Sequence, residues 1–300
     1  MPEPPVPLRS YLYAPGSRPE LLGKAYAAGA DAVVYDLEDA VPADRKEAAR
    51  VAVARQLGQV AATAARGPQV HVRVNPARDG YDRADLAAVV VPGLDALRLP
   101  KAADPQWLRA LAAELDELEA RAGLPAGHVA LYPTVESAAG VLRAGELAGA
   151  GPRVARLAFG AADFLTDIGA GGPAHGPATL AARGQLVLAS RAAGIGAPVD
   201  SVHTIVDDPA GLREGAIAAR QLGFFGKAVI HPAQLPVVHE VFTPDDRELA
   251  WARRVTAAGG NGTVDGEFVD RPALARARSL LALARTLATE DTPATKEDER

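Results

Sequence analysis

Eight times between residues 10 and 232 the chain passes from a short run rich in Val, Leu and Tyr to a longer Ala/Leu/Arg stretch with helical spacing of its apolar residues. No other feature limits the fold as much. The strand-like runs are SYLYAP (10–15), AVVYDL (32–37), VHVRVN (70–75), ALRLPK (96–101), VALYPT (129–134), RLAFGA (156–161), PVDSVH (198–203) and GKAVIHP (226–232). Between them lie helical stretches such as 19–29, 45–66, 105–123, 179–194 and 211–223. Pro19 and Pro105 stand near two of the starts, and Gly29, Gly123, Gly194 and Gly223 stand at stops. A parallel strand reaches its neighbour only through a crossover, and closure removes both sheet edges, so eight such units in about 240 residues predict a (β/α)8 TIM barrel. A doubly wound open sheet is the alternative. It would carry a G-x-G-x-x-G after a strand, and none is present; GAGGPAHG (169–176) has the wrong spacing and reads as loop, while GFFGK (223–227) reads as a turn before the eighth strand.

With 48% hydrophobic residues, the 300-residue chain can bury a sizeable core. Residues 1–242 are expected to form the barrel, 243–288 a helical C-terminal extension or lid, and 289–300 a polar, disordered tail. The Gly-rich stretch 257–268 reads as a hinge for that lid. A formal charge of −5 provides no broad basic field, which argues against nucleic acid or an anionic membrane as the main partner. The absence of cysteine excludes disulfides and thiolate metal sites. The opening MPEPPVPLRS has neither the basic nor the apolar part of a secretory leader, so a cytoplasmic location is expected.

Chemistry in such a barrel gathers at the C-terminal ends of the strands. There the sequence delivers Asp36, Glu38 and Asp39 after strand two, Arg73 and Asn75 on strand three, Lys101 after strand four and Glu136 after strand five. Asp163 follows strand six, Asp200 lies in strand seven, His231 in strand eight, and Arg18 in the turn after strand one. Glu136 and Asp163 are 27 residues apart, about one βα repeat, so they fall on neighbouring strand ends facing one cavity. Two bare carboxylates there repel. A hard divalent cation resolves the repulsion, and Mg²⁺ takes one or two carboxylates and leaves its other positions to water or substrate oxygens. No set of His at ligand spacing competes for zinc. Each acid also has a plainer reading: Glu136 and Asp163 stand at helix starts, where the helix dipole favours an acid, and the 36–39 cluster precedes a long helix for which Asp44 is the nearer cap.

These segments resemble the citrate lyase β-subunit-like proteins of the HpcH/HpaI aldolase superfamily, which also holds malyl-CoA and citramalyl-CoA lyases. The resemblance covers roughly residues 9–287 and is carried by RSYLYAPGSRPELL (9–22), DAVVYDLEDAVPADRKEAAR (31–50), VHVRVN, LRLPKA (97–102), LYPTVESAAGV (131–141), LAFGAADF (157–164), APVDSVHTIVDD (197–208) and GFFGKAVIHPAQ (223–234). It implies a barrel with a C-terminal extension and Mg²⁺, or Mn²⁺ in its place, held by Glu136 and Asp163. It implies substrate contacts from Arg18, Arg73, Lys101 and Glu136, with Asp36, Glu38 and Asp39 around the metal-bound waters. Catalytic roles would fall to Arg73, Asp36 and Asp270, the last reaching a neighbouring subunit's site as acid/base in a homo-oligomer, a trimer or hexamer. The chain departs from the family's usual G-x-E-D: Gly160, Ala161, Ala162 and Asp163 keep the ligand position and lack the adjacent acid.

The expected activity is a Mg²⁺-dependent carbon–carbon lyase acting on a 3-hydroxy-acyl thioester of coenzyme A or an acyl carrier protein, giving a 2-keto acid and an acetyl thioester. The alternatives are a malyl-CoA thioesterase, an aldolase on free keto acids, and a non-catalytic subunit that needs a partner. A Schiff base on Lys101 would be a rival electron sink to the metal.

Overall fold

A computed structural model of the chain describes residues 7–63, 67–259 and 262–290. The chain divides into two compact units, Met1–His239 and Glu240–Arg300. In the first, eight parallel strands make one sheet: β1 Ser10–Pro15, β2 Ala32–Asp36, β3 Gln69–Arg73, β4 Ala96–Leu99, β5 Ala130–Val135, β6 Arg156–Phe159, β7 Gly196–Val199 and β8 Lys227–Val229. Each of β1 to β6 pairs with its successor, and β8 pairs back onto β1. Asp200, just past β7, bridges to Lys227 and closes the ring through Asp200 N–H to Gly226 O and Ala228 N–H to Asp200 O. The expected (β/α)8 barrel is the fold.

Side chains alternate between the barrel interior and the surrounding helices. Tyr11, Ala32, Val34, Ala96, Tyr132, Ala158 and Val199 pack together inside. Counting on by two from each strand's interior residues puts Asp36, Arg98, Thr134, Glu136 and Gly160 on the same inner face, toward the C-terminal mouth. Strand β2 is buried on both faces, which explains why AVVYD reads as a continuous apolar run before its acids.

The helices Pro105–Ala122, Pro177–Ala193 and Pro209–Leu222 follow the sequence expectation closely. Each begins with its proline and ends where Gly123, Gly194 or Gly223 takes a left-handed conformation (φ 70°, 73° and 107°). Three expectations need correction. Strands seven and eight are shorter than 198–203 and 226–232, spanning Gly196–Val199 and Lys227–Val229; past Val229 the amides of Ile230 and His231 donate to the Gln234 side chain. Helix 45–66 spans Lys46–Ala61, with 64–66 outside the described residues, and Asp44 does not cap it; it lies in a 3-10 turn, Ala43–Arg45, and Arg45 takes the cap position without a side-chain bond. The proposed hinge at 257–268 contains an antiparallel hairpin, Gly262–Val264 with Glu267–Val269, in its described part.

The second unit holds that hairpin and the helices Asp246–Ala257 and Arg271–Glu290 around Ala252, Val255, Val269 and Ala277. Asp245 and Glu248 form a capping box at the start of the first helix. Most of the expected tail, 291–300, lies outside the described residues. Among the described residues no helix is long and apolar enough to cross a membrane.

Candidate active site

The loop after β2 is built around Asp36. Its Oδ1 accepts from Glu38 N–H at 2.9 Å and its Oδ2 from Ala40 N–H at 3.0 Å, which curls the chain back over the strand end. The same two oxygens accept Arg73 Nε at 2.7 Å and Nη2 at 2.6 Å, a bidentate fork that leaves the guanidinium one orientation. Arg73 Nη1 lies 2.9 Å from Glu38 Oε2 and 3.6 Å from Asp39 Oδ2, and the guanidinium carbon sits 5.3 Å from the Tyr13 ring centre. Burial pulls the Arg73 pKa down, but its hydrogen bonds to and attraction by Asp36 outweigh that and raise it, so the cation is permanent.

Lys46 and Asn75 hold the loop from beneath. Lys46 Nζ donates to Leu37 O, Glu38 O and Asn75 Oδ1, and Asn75 Nδ2 donates to Leu37 O and to buried Asp85. Strand-end logic had marked Asn75 as a site candidate; it braces the acidic loop instead.

Glu136 projects from the end of β5, 6% exposed. Its Oε1 accepts the Lys101 N–H at 2.6 Å, an approach made possible by the left-handed backbone of Lys101 (φ 54°), a costly conformation for a residue with a side chain. Its Oε2 takes no hydrogen bond from the described residues. Burial pushes the carboxyl up to about 7 against the pull of the Lys101 N–H, and the charges of Asp163 and Glu38 add to the rise. The reading of Glu136 as a helix-start acid is replaced, because Ser137 caps that helix through Gly140 N–H. Asp163 lies in the first turn of the helix Ala161–Asp167 and is exposed at the mouth. Gly160 separates the two acids: a Cβ there would stand 2.3 Å from Glu136 Oε2, so only glycine leaves the carboxylate its place.

A cavity of about 290 Å³ opens among these groups, lined by Tyr13, Arg73, Arg98, Thr134, Glu136 and Asp163 among others. Five carboxylates (Asp36, Glu38, Asp39, Glu136, Asp163) stand at this mouth against two cations, Arg73 and Lys101. Lys101 Nζ is 3.4 Å from Glu38 Oε1. Burial pulls the Lys101 pKa down and the Glu38 charge raises it on balance, so its amine stays protonated and unsuited to a Schiff base. The donor set fits a small hard dication: two carboxylates, one with a free oxygen toward the cavity, and excess negative charge. Among the described residues no group of three or more His, Asp and Glu is placed to hold a metal by itself.

The remaining candidates sit elsewhere. Arg18 is largely exposed and pairs with Glu20 at 3.0 Å. His231 Nδ1 caps its own turn by accepting Ala233 N–H. Asp200 is buried between Arg183 and Lys227 and pins the β7–β8 seam. Asp270 lies in the C-terminal unit, where Oδ1 accepts Ala273 N–H at 3.0 Å at the start of the last helix. Arg98 and Thr134, both lining the cavity, were not anticipated; the only signal for them is the period-two count along β4 and β5.

The sequence profile of the HpcH/HpaI aldolase/citrate lyase family matches residues 9–232. The citrate lyase subunit beta-like protein of Deinococcus radiodurans is 39% identical over 289 residues, covering 93% of this chain and 98% of that protein. The (3S)-malyl-CoA thioesterase of Cereibacter sphaeroides is 36% identical over 291 residues, covering 94% and 96%. Among solved structures, CitE from Mycobacterium tuberculosis in complex with magnesium, acetoacetate and coenzyme A superposes with a TM-score of 0.76 at 31% identity, over 93% of this chain and 98% of that one. Barrel, acidic mouth and full-length similarity agree, and the chain belongs to the HpcH/HpaI aldolase/citrate lyase family, among its lyases related to the citrate lyase β-subunit.

Proposed function

We propose that the protein cleaves, or in reverse forms, the bond between the hydroxyl-bearing carbon and the α-carbon of a 3-hydroxy-acyl thioester, yielding a 2-keto acid and an acetyl thioester. The observation that carries this reading is the free Glu136 Oε2 beside Asp163 on a cavity whose mouth holds five acids against two cations. Glu136 and Asp163 would hold Mg²⁺, which when bound supplies Lewis-acid polarisation of the substrate hydroxyl and of the keto oxygen it becomes.

The protein's own groups would do the rest. Cleavage removes the hydroxyl proton, makes a carbonyl, and leaves an electron pair on the α-carbon of the departing acetyl thioester, where a proton must arrive. Arg73, fixed by the Asp36 fork, is the permanent cation that would face the oxygen gaining negative charge. Asp36 would act through Arg73, and Glu38 and Asp39 would order water at the mouth. Asp270 is the candidate acid/base for the α-carbon, delivered by a neighbouring copy in a trimer or hexamer. Lys101 and Arg18 would meet the anionic parts of a thioester carried on coenzyme A or on an acyl carrier protein.

A second reading, hydrolysis of a malyl thioester, is favoured by the 36% identity to the Cereibacter thioesterase. Purified protein mixed with Mg²⁺, acetyl-CoA and oxaloacetate, pyruvate or glyoxylate decides. Condensation or cleavage supports the lyase, free thiol release supports the thioesterase, and inertness toward every thioester, with keto acid and metal still bound, would make the chain a binding subunit.

A further inference from the structure

Seven residues make the helix that carries Asp163, and no side chain of its own caps it. Gly160 holds the cap position, where the room a side chain would need is taken by Glu136, so the first free N–H must find its acceptor elsewhere. A helix this short is marginal by itself. Phe164 and Leu165 bury its inner face, with the Phe164 ring 5.4 Å from that of Phe159. Burial fixes which face turns inward and leaves the height of the helix above the barrel to polar bonds at its two ends.

Both ends are tied, each to a different strand. At the start, Ala161 N–H donates to Ser201 Oγ at 3.2 Å, a cap supplied from 40 residues away. Ser201 is buried just past β7, and its carbonyl accepts Lys227 Nζ at 2.7 Å, so it stands on the seam that closes the barrel. At the far end, Asp167 Oδ2 accepts Ala138 N–H at 2.7 Å. Ala138 comes two residues after Glu136 and opens the short helix that Ser137 caps. Asp163 and Asp167 are four residues apart, one above the other on the same helix face. The Asp167 bond therefore joins the segment that delivers one proposed metal ligand to the segment that delivers the other. Glu136 is itself held by the Lys101 N–H, which leaves Asp163 as the ligand whose place depends on these ties.

We propose that Ser201 and Asp167 are positioning residues of the metal site, setting the height at which Asp163 meets Glu136 and so restricting the pair to a small cation. The inference rests on the two-carboxylate site proposed above and adds what holds that site in place. Both side chains act through Asp163. Mg²⁺ requires near-ideal octahedral geometry with ligands at about 2.0 to 2.1 Å, whereas Ca²⁺ accepts them at about 2.3 to 2.6 Å in a flexible arrangement. A slack helix therefore costs the smaller ion more.

Titration calorimetry with Mg²⁺ alone and with Ca²⁺ alone reads this directly. Asp167→Ala should weaken Mg²⁺ by about tenfold and Ca²⁺ by less than about threefold, so that the ratio of the two affinities falls. Asp167→Asn keeps an oxygen for the Ala138 N–H and drops the charge, and it should bind both ions as the wild type does. Ser201→Ala should move the ratio in the same direction as Asp167→Ala, and it decides if circular dichroism shows that Asp167→Ala does not fold. A ratio unchanged in the folded variants, equal losses of both ions, or an Asp167→Asn chain as weak as Asp167→Ala overturns the positioning role and leaves the metal site intact. No Mg²⁺ uptake by the wild-type chain, or uptake indifferent to Glu136→Ala, overturns the site and the positioning role together.

Discussion

Two arginine–carboxylate clusters in this barrel use the same side chains to opposite effect. On the outer side, Arg153 donates through Nη1 and Nη2 to both oxygens of Glu119 at 2.7 Å and through Nη2 to Asp116. Glu119 further accepts Gly127 N–H at 2.9 Å and Val129 N–H at 2.7 Å, so every lone pair is answered. Burial pushes that carboxyl up, yet the Arg153 bonds and the two amides outweigh it and hold it at about 2. At the mouth, Arg73 has equally short bonds to Asp36, but the acids outnumber the donors. Burial there wins for Glu38, raised, and for Glu136, raised to about 7. A satisfied cluster stabilises the fold; an over-acidic one facing a cavity is suited to binding a cation and a substrate.

The contrast can be broken by exchanging its terms. Glu136→Ala should lower turnover on the order of 10³-fold or more and abolish Mg²⁺ uptake, with the melting temperature held or slightly raised, since a carboxyl destabilised by burial has been removed. Glu119→Ala should do the reverse, costing about 3 to 5 kcal/mol in denaturant unfolding by leaving Arg153 buried without its partner, while Mg²⁺ affinity stays at the wild-type value. Were Glu136→Ala to lower the melting temperature by several degrees while Mg²⁺ affinity stayed at the wild-type value, the assignment of the two clusters would be inverted.

Smaller changes sharpen it. Arg73→Lys retains the charge and loses the fork, so kcat should fall on the order of 100-fold while KM moves little, read from steady-state kinetics on the thioester. Gly160→Ala introduces a Cβ 2.3 Å from Glu136 Oε2, and the displaced carboxylate should weaken Mg²⁺ by about tenfold in calorimetry without changing overall stability by more than about 1 kcal/mol. Equal metal affinity in Gly160→Ala would mean that Oε2 is not a ligand.

Much of this was legible in the residues. Period-two runs and glycine stops are local signals, so the eight strands and the long helices follow from sequence, and the rule that chemistry collects at strand ends picks out Asp36, Arg73, Glu136 and Asp163. Partners remote in sequence were not legible. Arg98 sits mid-strand, where the period-two count gives its face but not its partners; the tyrosines that clamp it come from β1 and β5. Asp44 looked like the cap of the helix after β2, but Lys46 draws the same loop inward through Leu37 and Glu38, and the chain makes a 3-10 turn first. The left-handed backbone of Lys101, which aims its amide at Glu136, is a tertiary demand that propensity does not forecast. The Glu119 cluster was not legible because Asp116 and Glu119 look like ordinary polar positions of a surface helix, and their partner Arg153 comes from a turn more than thirty residues on.

That cluster gives the last prediction, a pH dependence separable from any catalytic one. Glu119 titrates near 4.5 when unfolded and at about 2 in the fold, so its folded pKa is the depressed one. Its stabilisation is therefore fully present above about pH 4.5 and is lost progressively as pH falls toward 2. The shift corresponds to roughly 3 kcal/mol at neutral pH. In Glu119→Gln the charge is gone at every pH, so the difference in unfolding free energy between wild type and variant, measured by urea titration, should be flat from pH 8 to 5 and shrink below it. Glu136→Gln should move in a different window and with the opposite sign: the Glu136 carboxyl is raised from about 4.5 to about 7 by the fold, so the wild type should lose stability relative to the variant as pH rises from about 4.5 to about 7, with the difference level below and above that range. A difference curve for Glu119→Gln that stays level down to pH 2 would show that the Arg153 cluster is not the satisfied counterpart of the mouth.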